Sequence, residues 1–82
     1  MAKFKFEIEA GFLIRNDVRT DLERSKDSLE YLYPGGSVSI REEKTFWEST
    51  FYVQGVNFPN TDKFIAEIEN WTNKIKIAVN EI

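Results

Sequence analysis

No proline or glycine interrupts residues 61–82, and Phe64, Ile68, Trp71, Ile75, Ala78, Val79 and Ile82 recur along them at three- and four-residue steps. That spacing gathers apolar side chains on one face of a helix. It predicts one helix of about 22 residues, roughly 33 Å long at 1.5 Å per residue. A domain this small has about that diameter. The helix must therefore cover a whole small sheet, or overhang it and meet a partner. Trp71 is the expected anchor at its middle, and Ile77 points away from the stripe.

The rest of the composition narrows the chemistry. The 82 residues make one domain, 1–82, with a modest core. Cysteine and histidine are both absent. Disulfides, thiolate nucleophiles, imidazole bases and the usual zinc sets are therefore excluded. No apolar run reaches transmembrane length, and charges break up residues 1–30 where a signal peptide would lie. A cytoplasmic protein with no membrane partner is expected. The 14 acidic and 11 basic residues give a net charge of -3, well mixed along the chain. That balance argues against strong autonomous nucleic-acid binding. Seven Phe, three Tyr and two Trp exceed what so small a core needs, so some rings are expected at an interface.

Residues 3–10 alternate. Phe4, Phe6, Ile8 and Ala10 face one way, and Lys3, Lys5, Glu7 and Glu9 the other, as in a strand with one wet face. Gly11 ends the pattern. Val18, Leu22, Ser25, Leu29 and Leu32 then mark a helix, with Asn16, Asp17 or the Thr20–Glu23 capping pattern as alternative starts. Tyr33, Pro34, Gly35 and Gly36 stop it. Residues 37–58 read as two strands. Their hairpin turn falls at 42–44 or 48–50, the latter preferred, and Gly55 marks a bulge or a close backbone contact. Pro59 breaks the second strand and Asn60 caps the final helix. The expected fold is thus α+β: a two-layer β-α-β-β-α domain, with a three-stranded mostly antiparallel sheet and two helices on one face. Two open edges remain, and pairing through an edge or packing two faces in a dimer would cover them.

Nothing in the chain assembles a reaction. Asp17 with Asp21, and Asp27 with Glu30, share helical faces among Arg19, Arg24 and Lys26, the pattern of a solvated surface with local ion pairs. Glu42 and Glu43 are consecutive and point to opposite sides of a strand. The loop at residues 34–37, Pro-Gly-Gly-Ser, lacks the spacing and lysine of a P-loop. Asn70-Trp71-Thr72 fits the glycosylation formula but sits within the predicted helix. No catalytic, cofactor or metal residue is assigned, and the expectation is a protein that is not an enzyme.

Two surfaces remain. Tyr52, Phe58, Trp71, Ile75, Ile77 and Ile82 are the candidate interface residues, with Tyr52 and Phe58 sharing one side of the third strand. Lys3, Lys5, Arg41, Lys44 and Lys63 are candidate nucleic-acid contacts, beside rings on which bases can stack. Glu7 and Glu9 weaken that patch. The main reading is a non-catalytic, dimerising interaction protein that pairs with itself or a close paralogue. The alternatives are an autonomous RNA-binding module and a small phage-type or orphan regulator that binds a host protein.

The stretch FYVQGVNFPNTDKFIAEIENWTNKIKIAVNEI, residues 51–82, runs from a strand through a short break into the apolar pattern that reaches the chain end. With the compact FKFEIEA opening, it resembles the small dimerisation subunit family of the KEOPS complex, which makes threonylcarbamoyl-adenosine in tRNA. The resemblance implies a strand–helix–strand–strand–helix fold and a dimer. It also implies docking onto a separate tRNA-modifying catalytic subunit, an accessory role in holding tRNA, and no chemistry of its own.

Overall fold

The computed structural model describes residues 2–59, 62, 65, 66, 70 and 78–81. Strand β1 spans Ala2–Gly11, helix α1 Arg15–Leu32, β2 Ser37–Lys44, β3 Glu48–Phe58 and β4 Ala78–Glu81. The strands form one antiparallel sheet in the order β2-β3-β1-β4. β1 and β2 run parallel to each other with β3 inserted between them, and α1 makes the crossover. This is the split β-α-β arrangement of ferredoxin-like folds.

The alternation of β1 works as the sequence implied. Phe4, Phe6, Ile8 and Ala10 are buried under α1, and Lys3, Lys5 and Glu9 are exposed on the other face. From β2 and β3, Val38, Phe51, Val53 and Phe58 join the core, and α1 contributes Val18, Leu22 and Leu29. Ile14, Ile40 and Tyr33 close its margins. Leu32, the last helical residue, leaves the expected face and is 57% exposed. No side chain caps α1 at its N-terminus. Thr20 instead bonds back to the Asn16 carbonyl at 3.0 Å, inside the helix. Gly35 turns the chain at φ +99°, a conformation that strains any side-chain-bearing residue.

Three expectations are corrected. First, the β-α-β-β-α order with a three-stranded sheet gives way to a four-stranded sheet, because Ala78–Glu81 pairs with β1. Phe6 lies opposite Glu81 and Ile8 opposite Val79. A single helix running to the C-terminus is therefore ruled out. Ile75, Ile77 and Val79 also alternate at period two, and such β-branched residues suit a strand. Second, one helix is delimited among the described residues, not two. Asp62, Ile65, Ala66 and Asn70 have helical backbone between β3 and β4. Third, the hairpin turn is at neither expected place. The Thr45 amide donates to the Glu48 carbonyl at 2.8 Å, so Phe46 and Trp47 form the tip. The polarity of Glu42, Glu43 and Lys44 fits either a turn or a wet strand end, and they belong to an edge strand whose side chains are partly wet.

A bulge changes the phase of β3. Ala2 pairs with Phe58 and Phe4 with Gly55, so β3 holds one residue more than β1 across that interval. Asn57 takes up the irregularity at φ 65°. Phe58 is thereby turned into the core, where it is fully buried against Phe4 and Tyr33.

Candidate interaction surfaces

The sheet face away from α1 carries the candidate basic and aromatic residues. Arg41 of β2 lies directly opposite Tyr52 of β3, and Tyr52 opposite Glu7 of β1. The Arg41 guanidinium rests 4.4 Å from the centre of the Tyr52 ring. It also pairs with Glu43 at 3.3 Å, and the Tyr52 hydroxyl donates to Glu43 Oε2 at 3.3 Å. Partial burial of the ring, helped by Glu43 and Glu7, holds the tyrosine pKa above its ordinary value. Lys5, Ser39, Arg41, Tyr52 and Gln54, with Ile40 and Val53, line an open groove of about 450 Å³ here. Lys3 is exposed on the same face by strand alternation.

Other sequence-assigned residues do not gather there. Lys44 falls on the α1 side of β2, two positions from Glu42, and away from Arg41. Phe58 is a core ring and takes no part in a surface. Its assignment assumed unbroken alternation from Tyr52, and the bulge at Asn57 removes that assumption. Lys63, Trp71, Ile75, Ile77 and Ile82 lie outside the described residues, as does the anchoring role given to Trp71.

On the α1 side, Glu42 is the most perturbed acid. Arg19 grips it with two bonds of 2.7 Å, from Nε to Oε1 and from Nη2 to Oε2. The buried Ser49 hydroxyl donates to Oε2 at 2.6 Å. These donors, the Arg19 pair above all, hold the Glu42 pKa at about 2, although burial pulls it the other way. Near the start of β2, Lys26 bonds Glu30 at 2.8 Å, and Glu30 Oε2 accepts the Val38 amide at 2.9 Å. Both contacts keep the Glu30 pKa below its ordinary value. Among the described residues, no group of three or more acidic side chains is placed to hold a metal ion. One member of each expected acidic pair is held in an ion pair: Asp21 faces Arg24 at 3.9 Å, and Glu30 faces Lys26.

The Glu42 geometry has a measurable consequence. A folded-state pKa near 2 lies below the usual 4.5. The bonus is therefore present above about pH 4.5, and it is lost as pH falls towards 2, because the unfolded chain binds the proton first. Glu42 keeps 20% side-chain exposure. Discounted for solvent screening, the contribution is about 2 kcal/mol. Urea unfolding of Glu42→Gln should show that much less stability than the parent at pH 6, and nearly the same stability at pH 2. An equal gap at both pH values would refute the assignment.

The sequence reading missed one end of the molecule. Phe12 and Leu13 lie in the link from β1 to α1, and Phe46 and Trp47 in the β2–β3 turn. Their exposures are 47%, 80%, 78% and 66%. Phe12 meets Trp47 edge to face at 5.6 Å, and Phe46 meets Trp47 at 4.7 Å. The two loops are fastened together. The Phe12 amide donates to the Trp47 carbonyl at 2.8 Å, and Arg15 Nη1 donates to the Thr45 carbonyl at 2.6 Å. Thr45 holds the turn through its hydroxyl, which donates to the Glu48 carbonyl and accepts the Glu48 amide. The signal was visible as two pairs of consecutive large apolar residues, Phe12-Leu13 and Phe46-Trp47, out of phase with the neighbouring strands. No helix among the described residues is long and apolar enough to cross a membrane.

No protein-family model matches the chain. No curated protein matches it either. Among solved structures, the chain is similar to the de novo designed protein Ferredog-Diesel, with a TM-score of 0.73 and 25% identity over 99% of this chain and 84% of that one. The likeness concerns the fold.

Proposed function

We propose that this chain is a non-catalytic protein-interaction domain whose contact surface is the aromatic end built by Phe12, Leu13, Phe46 and Trp47. The observation that carries this reading is a set of large apolar side chains left in water while the core is complete without them. Single exposed hydrophobics are ordinary, but a contiguous group marks a binding site. Aromatic rings dominate interface cores, and Trp is the commonest energetic anchor. The backbone bond between the loops fixes the rings before a partner arrives, which lowers the ordering cost of association. The partner is a protein with an apolar pocket. A tRNA-modifying catalytic subunit is the candidate that the family resemblance suggests.

The test compares wild-type chain with Phe46→Ser/Trp47→Ser as baits in native lysate, followed by titration of the purified partner. A protein held by the wild type and bound at least about tenfold more weakly by the double variant supports the reading. Identical retention by both baits overturns it.

The groove on the open sheet face supports a second reading, single-stranded RNA stacked on Tyr52 and Arg41 with phosphates near Lys3 and Lys5. Glu7, Glu9 and Glu43 share that face and offset its positive charge. Fluorescence polarisation with a labelled single strand decides it. Affinity that falls steeply with salt and is lost in Tyr52→Ala supports RNA. No binding at low salt removes the reading.

A further inference from the structure

β2 is the outermost strand on its side of the sheet. Its backbone groups alternate between β3 and the open edge, and two observations fix the phase. The Thr45 amide bonds Glu48 across the turn, and the Val38 amide bonds the Glu30 side chain off the ladder. Val38, Ile40, Glu42 and Lys44 therefore aim their N–H and C=O groups at the edge. The Val38 amide is already taken. Among the described residues nothing pairs on the open edge with the run Ile40, Glu42 and Lys44, which extends from the middle of the eight-residue strand to its end. Edges of this kind recruit a further strand unless charge, proline or a bulge blunts them.

We propose that the occupant is a second copy of this chain, with β2 pairing antiparallel to β2 about a two-fold axis at Glu42. The charges choose that register. Arg41 and Glu43 both lie on the open face, so centring on Glu42 sets Arg41 opposite Glu43 of the second copy, and the reverse. Centring on Arg41, Glu43 or Lys44 also sets a like-charge pair at the axis, and none of those registers places Arg41 opposite Glu43. Centring on Ile40 requires the Val38 amide, which Glu30 holds. At the axis, the two Glu42 side chains each carry their own Arg19 clamp, so they meet as ion pairs. Ile40 meets Lys44 on either side. Two hydrogen bonds at each of three pairs give about six across the junction. The result is one continuous sheet through both copies. This inference is independent of the aromatic end.

Sedimentation equilibrium from micromolar to millimolar loading tests it. The wild type should dimerise. Arg41→Glu and Glu43→Arg should each weaken the dimer by about tenfold or more, because two symmetric pairs turn repulsive together. The double swap, Arg41→Glu with Glu43→Arg, should restore it. Lys44→Pro, which removes an edge-facing amide and no bond to β3, should also weaken it. Hydrogen exchange should slow with concentration at Ile40, Glu42 and Lys44, a readout that needs no variant to fold. A wild type that stays monomeric overturns the proposal. So does a dimer insensitive to the single charge reversals, a swap that fails to restore pairing, or unchanged exchange at those three amides. Loss of the dimer in Phe46→Ser/Trp47→Ser alone would move self-association to the aromatic end and overturn the proposal too.

Discussion

Phe51→Ala should lower the unfolding free energy by about 3–5 kcal/mol. The ring is fully buried in the middle of β3. It lies opposite Ile8 of β1 on one side and Glu42 of β2 on the other. Removing it discards the burial of a large apolar group and leaves a cavity under α1 that the sheet backbone is poorly able to fill. For a domain of this length, such a loss is a large part of the total stability. In urea, the transition midpoint should fall with little change in slope. Leu32→Ala, at an exposed site, should change stability by less than about 0.5 kcal/mol. A loss under about 1 kcal/mol for Phe51→Ala would mean that β3 is not the centre of the core.

Gly55→Val should cost about 3 kcal/mol, by overpacking rather than by a cavity. Phe4 lies across the strand from Gly55, and its ring covers the glycine so closely that an added Cβ would overlap it. The ring cannot simply step aside, because it stacks on Phe6 at 5.7 Å and on Phe58 at 6.0 Å. The cause can be isolated by a second substitution. Phe4→Leu, itself destabilising, should cost less in the Gly55→Val background than in the parent, with a coupling of about 1 kcal/mol or more. Strict additivity of the two would show that the glycine is needed for its backbone and not for the ring above it.

The fold was legible where one periodicity stood alone. β1 alternates without ambiguity, and Val18, Leu22 and Leu29 have no reading except a helix face. It was illegible where two periods coincide. Ile75, Ala78, Val79 and Ile82 satisfy helical spacing while Ile75, Ile77 and Val79 satisfy alternation, and only pairing with β1 decides for β4. That pairing is non-local, so no window on the sequence contains it. Local polarity also left Glu42 undecided. Its charge fitted a turn as well as a wet strand end, and Arg19, 23 positions earlier, with Ser49 makes a strand position suitable for a carboxylate.

The surfaces followed the same division. Arg41, Tyr52 and Lys5 share a face because simple alternation holds through the middle of the sheet. Lys44 lies on the same edge strand but on the opposite face from Arg41, because the two positions differ in parity along β2. The aromatic end was hidden because Phe46 and Trp47 looked like strand material, while Phe12 and Leu13 looked like an extended link. Only the bonded meeting of two distant loops makes them one patch.

The extra residue at Asn57 acts as a switch of sides. Upstream of it, even-numbered positions of β3 look outward; downstream, Phe58 looks inward. Deleting Asn57 would hand that ring to the opposite surface, extending the row that begins with Tyr52 and emptying the space beneath Tyr33. One backbone unit thus decides whether an aromatic side chain serves cohesion or contact. A chain of this kind can gain or lose a binding surface by a single-codon change in length, with every side chain type kept.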